Sequence, residues 1–145
     1  MATVTANLAE GTKVTIEARQ FSWRADEPPE ASGTDTGPTP YELLLGSLAA
    51  CIATTLRLYA NHKGIPLAGV GVHLAFDRVH ADDCEDCDAR ADGWIERIQS
   101  NVTIRGRFDT AQRKRLEQVA QRCPVHKTLT NGVEIMDSVE FEEGV

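Results

Sequence analysis

Apolar and polar residues change rhythm several times along the chain, and each change marks an element. Residues 12–18 alternate, with Val14 and Ile16 on one side and Thr15 and Glu17 on the other, the period of a half-buried strand. Phe21-Ser22-Trp23 reads as part of a further strand, after a turn near Glu10-Gly11. Residues 26–37 are rich in Pro, Gly, Ser, Asp and Glu and carry no apolar period, so they read as a loop. A loop of that length in a compact domain is often functional.

The next segment carries strong helix signals. Thr39-Pro40-Tyr41-Glu42 offers a Thr N-cap, Pro at the first helical position and Glu three residues after the cap, the components of a capping box. The helix is predicted to run to His62-Lys63, whose charges suit a C-terminal dipole, with Gly64 as the left-handed stop. Between 43 and 53 it is apolar on nearly every face, which predicts a helix buried on all sides. Gly46 inside it costs about 1 kcal/mol relative to Ala, a cost that close packing would explain.

Strand patterns return at 70–76 and 98–104, separated by a polar, acidic excursion over 80–88. A second helix starts near Asp109, with Gln112 in the matching box position. Leu116, Val119, Ala120 and Cys123 then recur at helical spacing, which places Cys123 on the buried face. Pro124 ends that helix or starts a short new one. A closing strand over 133–141 completes the order strands, helix, strands, helix, strand. The fold class is α+β in one domain over 1–145, without repeats.

Charge and length narrow the function. A chain of 145 residues forms a proper core without disulfide staples. Its formal net charge of −7 argues against nucleic acid or an anionic membrane as partner. Residues 1–5 lack the features of a signal peptide, and the 43–53 run is far shorter than the roughly 20 residues of a membrane span. A cytoplasmic protein is expected. There, four cysteines read as catalytic, metal-binding or inert groups.

Cys51 lies in the uncharged run Leu48-Ala49-Ala50-Cys51-Ile52, where a thiolate is costly unless a cation or dipole compensates. Lys13, Arg19, Arg24 and Arg57 are the cations within reach of that argument; core packing as a small hydrophobe is the competing reading. Cys123 opens Cys123-Pro124-Val125-His126, where backbone N–H groups at a helix start would stabilise a thiolate and His126 could exchange a proton with it. Cys84 and Cys87 form a CxxC among Asp and Glu residues. With His80 they are candidate metal ligands; a solvated hairpin tip and a reversible disulfide are the other readings.

Together, Asp26-Glu27-Pro28, the stretch from Gly37 to Leu45, Ala49-Ala50-Cys51, the stretch from Leu56 to Ala60, and Cys123-Pro124-Val125-His126 resemble the OsmC/Ohr family of osmotically inducible and organic hydroperoxide resistance proteins. The resemblance runs over nearly the whole chain and is closest to an OsmC-like branch distinct from the established reductases. It implies antiparallel strands wrapped around a long central helix in an intertwined homodimer. It further implies that Cys51 is the peroxidatic thiol and Cys123 the resolving one, with a hydroperoxide substrate, a dithiol reductant and no cofactor.

One departure bears on activation. In characterised reductases a Glu directly follows the Pro of the helix-start motif and pairs with an Arg. Here Tyr41 follows Pro40, and Glu42 comes one position, or about 100° of helix, later. Glu42 is thus either catalytic or a helix cap, and Arg19 and Arg24 are both candidates for the activating cation. The expected function is a thiol-dependent peroxidase acting on organic hydroperoxides or hydrogen peroxide. The alternative is a thiol- or apolar-ligand-binding or redox-sensing protein on the same scaffold.

Overall fold

The computed structural model describes residues 1–80 and 93–144. Three short strands come first: β1 (Thr5–Asn7), β2 (Val14–Ala18) and β3 (Phe21–Ala25), an antiparallel meander in the order β1-β2-β3. The β2–β3 register, Val14 opposite Ala25 and Ala18 opposite Phe21, leaves Arg19-Gln20 as a two-residue turn. Arg19 has a φ of 53°, as a turn that follows the right-handed strand twist requires.

The loop after β3 is organised around one carboxylate. Asp26 is buried, and its two oxygens accept from the hydroxyls of Thr12 (2.6 Å), Thr34 (2.5 Å) and Thr36 (2.6 Å). The backbone N–H groups of Glu27, Thr34 and Thr36 also donate to it. These bonds, with the Thr12 hydroxyl first among them, hold the Asp26 carboxyl far below its ordinary range. Gly33 completes the wrap, because a Cβ there would run into the Glu27 carbonyl.

Helix α1 (Pro40–Lys63) has the boundaries its signals predict. The Thr39 hydroxyl accepts from the Glu42 N–H (3.1 Å), the Glu42 carboxylate accepts from the Thr39 N–H (2.8 Å), and Gly64 stops the helix at φ 67°. Its burial differs from expectation. Within one chain only the stripe Leu48, Ile52, Leu56 and Ala60 is buried; Gly46, Ala50, Thr54 and Leu58 are exposed, and a Cβ on Gly46 would touch nothing. No neighbour in the chain accounts for that glycine. The helix also continues past the 43–53 run, and at 24 residues it is long and apolar enough, by length and composition, to cross a bilayer.

Strands β4 (Leu67–His80) and β5 (Trp94–Gly106) form a long antiparallel hairpin. Its inner face, including Val70, Val72, Leu74, Ile98, Val102 and Ile104, packs on the α1 stripe. The Arg57 guanidinium donates to the Leu67 carbonyl (2.8 Å) and ties α1 to β4. Helix α2 (Thr110–Ala120) starts in the expected box, Asp109 with Gln112, and adds Leu116 and Val119 to the core. Helix α3 (Pro124–Asn131) follows at once.

The expected closing strand over 133–141 is absent. The segment alternates like a strand, but among the described residues no strand pairs with it. Val133, Ile135, Met136, Val139 and Phe141 are 68% to 91% exposed.

Because the folded Asp26 carboxyl titrates far below an unfolded one, its contribution to stability is fully present above about pH 4, the unfolded value. That contribution is lost progressively as pH falls below it. Thermal unfolding of wild type is expected to drop more steeply below about pH 4 than that of Asp26→Asn. At neutral pH, Asp26→Asn is expected to be cut first within residues 26–38 by limited proteolysis; identical pH profiles would refute the assignment.

Candidate functional site

Cys51 leaves α1 at the edge of the buried stripe and is half-buried, whereas Cys123 is fully buried. The burial of Cys123 is what its helical spacing predicts, whereas Cys51 is more open than its apolar run predicts. The apolar run around Cys51 is not enclosed in one chain, and the helical spacing that carries Cys123 inward does so completely. Cys123 is the N-cap of α3: its sulfur accepts from the His126 N–H at 3.3 Å. One residue earlier in the same turn, the Val125 N–H donates to the Cys51 sulfur at 3.5 Å. Two sulfurs from distant parts of the chain therefore share the first turn of one helix, where unpaired N–H groups carry partial positive charge.

The two thiols differ in electrostatics. Burial pushes the Cys123 thiol up; the His126 N–H pulls it back, and the neighbouring Cys51 sulfur adds to the push. Cys123 is thus held as a thiol. Cys51, facing solvent on one side, has the Val125 N–H as a donor to its sulfur, with the Thr55 hydroxyl at 4.0 Å one turn along α1. Neither donor was picked out from sequence. Thr55 was visible there only as the i+4 neighbour of Cys51, and Val125 acts through its backbone.

The other sequence candidates fall as follows. The His126 contact to Cys123 is made by its backbone N–H, and the residue lines a neighbouring cavity. Glu42 is engaged by its cap: the Thr39 N–H, then the Thr39 hydroxyl, hold its carboxyl below the ordinary range. Arg19 lies at the β2–β3 turn with its guanidinium 4.9 Å from the Phe21 ring centre, and Arg24 faces Thr15 across the sheet. Among the described residues no hydrogen bond joins Lys13, Arg19, Arg24 or Arg57 to Cys51. Tyr41 stacks on Phe76 at 4.6 Å. His80 ends β4 edge-on to Trp94 at 5.2 Å. Cys84 and Cys87 lie outside the described residues, among which no three His, Cys, Asp or Glu side chains gather as a metal site.

Between α1, β5, α2 and α3 lies a cavity of about 490 Å³, lined by neighbours of both cysteines in sequence but by neither cysteine itself. Leu48 and Ile52, which flank Cys51 in sequence, form part of its floor with Ile98, Val102 and Ile104. Its rim carries Glu96, Glu117, Gln121 and His126.

A long helix backed by an antiparallel hairpin, with its Cys51 sulfur meeting that of Cys123 at the start of the short helix α3, defines an α+β protein with a paired-thiol centre. The family model described as OsmC-like protein matches residues 33–136, and the chain belongs to that family. No curated protein matches it. Among solved structures, an OsmC-like protein from Mycoplasma pneumoniae is 27% identical with a TM-score of 0.71, over 90% of this chain and 87% of that one. An organic hydroperoxide resistance protein from Legionella pneumophila has 18% identity and a TM-score of 0.64, over 89% and 88% of the two chains. The organic hydroperoxide resistance protein OhrB of Bacillus subtilis has 20% and 0.58, over 88% and 89%. The last two likenesses establish the shared fold.

A short iodoacetamide pulse on the reduced native protein, read by peptide mapping, is expected to label Cys51 well before Cys123. Cys123 should react at a comparable rate only after unfolding. Equal labelling of both in the native state would contradict the assignment.

Proposed function

We propose that the chain is a thiol-dependent peroxidase for organic hydroperoxides or hydrogen peroxide, acting without a cofactor in the reducing environment of the cytoplasm. The observation that carries this reading is the unequal pair at the α3 start: a half-exposed Cys51 sulfur accepting the Val125 N–H beside a buried, protonated Cys123.

The Cys51 thiolate attacks the distal oxygen of the peroxide. The O–O bond breaks, its electron pair leaves on the alkoxide, and a proton converts that to alcohol. Cys51 is oxidised to the sulfenic acid as the peroxide is reduced by two electrons. The Cys123 sulfur then attacks Cys51, an S–S bond replaces the S–O bond, and the Cys123 proton leaves with the hydroxide as water. A dithiol reductant restores both thiols by exchange. Burial suits Cys123 to the second role, because it keeps the proton that this step must supply.

The working unit in this reading is an intertwined homodimer. The bare face of α1 around Gly46, Ala50 and Thr54 and the uncovered apolar side chains of 133–141 support it. Burying each large apolar side chain contributes roughly 1.5–3 kcal/mol, a gain one chain leaves unused. A second copy laid on α1 also accounts for the helix's hydropathy without a membrane. The same contact would bring the partner's cations toward Cys51, to which no cation is hydrogen-bonded among the described residues.

With a dithiol reductant, wild type is expected to consume cumene hydroperoxide catalytically and Cys51→Ser to lose at least about 100-fold in rate. Cys123→Ser should stall after one turnover with a dimedone-reactive sulfenic acid. Equal rates in all three proteins would end this reading. Light scattering should give a mass near twice the 15.9 kDa of one chain. Removal of residues 133–145 should yield monomer or aggregate, and a monomeric full-length protein at micromolar concentration would exclude the dimer.

A further inference from the structure

The cavity between α1, β5, α2 and α3 is distinguished by its lining as well as its size. At about 490 Å³ it falls within the roughly 300–1,000 Å³ range of small-molecule pockets. Its floor is aliphatic and its rim is charged with one sign. Among the described residues lining it, two are carboxylates, Glu96 and Glu117, and none is Lys or Arg. Arg78 offsets Glu96 at 3.8 Å, but Glu117 has no ion pair among the described residues. The floor residues Leu48 and Ile52 bracket the turn of α1 that carries Cys51, and His126 on the rim follows Val125, whose N–H meets the Cys51 sulfur. An apolar tail seated on this floor lies against the turn of α1 that carries Cys51.

We propose that this cavity holds the apolar tail of an uncharged hydroperoxide and selects against ligands ending in a carboxylate, with Glu117 as the specificity-determining residue. The inference rests on the peroxidase reading for the role of the ligand, but the binding preference stands apart from turnover. Two like charges about 5 Å apart in water repel by enough to change affinity about fourfold, and more where the rim is partly desolvated. The neutral rim groups Gln121, Ser100 and Thr130 can hydrogen-bond an alcohol or hydroperoxide head without that cost.

The test uses full-length Cys51→Ser, which cannot turn over, loaded with the uncharged dye Nile red. 1-Decanol, an uncharged product-like alcohol, and decanoate, its carboxylate counterpart, are titrated against the dye. Decanol is expected to displace it at a concentration at least about fourfold lower than decanoate. Glu117→Gln, at an exposed position, should close that gap by strengthening decanoate while leaving decanol unchanged. Ala120→Phe, or Leu129→Trp at the exposed rim if the first does not fold, should abolish displacement by both.

Decanoate binding as tightly as decanol would overturn the proposal. So would binding that survives the blocking variants, or no displacement at all, as when a second copy's segment fills the cavity. Turnover of cumene hydroperoxide by the protein with Cys51 intact is measured in parallel. Turnover without charge-selective binding would sink the pocket and leave the peroxidase standing. Charge-selective binding without turnover would do the reverse.

Discussion

The structure depends on one stripe of side chains. Leu48, Ile52, Leu56 and Ala60, four residues apart along α1, are the surface on which β4, β5, α2 and α3 converge. The i, i+4 row drifts slowly around a straight helix, so a single row can contact a twisted hairpin over three turns. Because the stripe is narrow, the elements packed on it lie close to its edges. Cys51 occupies such an edge, and for that reason the first turn of α3 reaches its sulfur while one side stays open to solvent. The architecture thus places the Cys51 sulfur at a boundary between core and water rather than within either.

For the peroxidase role proposed above, that boundary separates two opposed demands. A thiolate is destabilised by burial, yet an apolar substrate needs an apolar floor beside the sulfur. Here the two demands fall on different neighbours. Leu48 and Ile52 face the cavity, and Val125 presents a backbone N–H to the sulfur from the other side. A backbone donor is fixed by the fold and costs no side-chain entropy to position. It also survives the displacement of Glu42 into the helix cap, since it depends on no glutamate at all.

Local signals in the sequence were read with the greatest success. Both capping boxes, the Gly64 stop, the break at Pro124 and the alternation of β2, β4 and β5 follow from interactions spanning a few residues, and each stands where its pattern places it. The misreadings share one physical cause. A hydrophobic pattern states that a surface should be covered, not by what. The apolar run at 43–53 predicts a helix buried on all sides and the alternation at 133–141 a closing strand; the described chain buries only Leu48 and Ile52 of the first and leaves the apolar side chains of the second exposed. The Asp26 cage was hidden differently: its partners Thr12, Thr34 and Thr36 lie across two segments, and nothing in a loop's composition reveals which carboxylate its hydroxyls will surround.

The difference between the two cysteines follows from the same distinction. Sequence placed both beside helix dipoles or in apolar runs and so weighed the sulfurs by local context alone. The deciding quantity is how far each is withdrawn from water. At the start of α3 both sulfurs accept backbone N–H bonds, so the dipole does not separate them. Burial does: it raises the thiol of Cys123 and leaves Cys51 reachable. One helix start, met by one sulfur from its own cap and another from a crossing helix, thus holds two thiols that share a set of backbone donors and differ in their exposure to water.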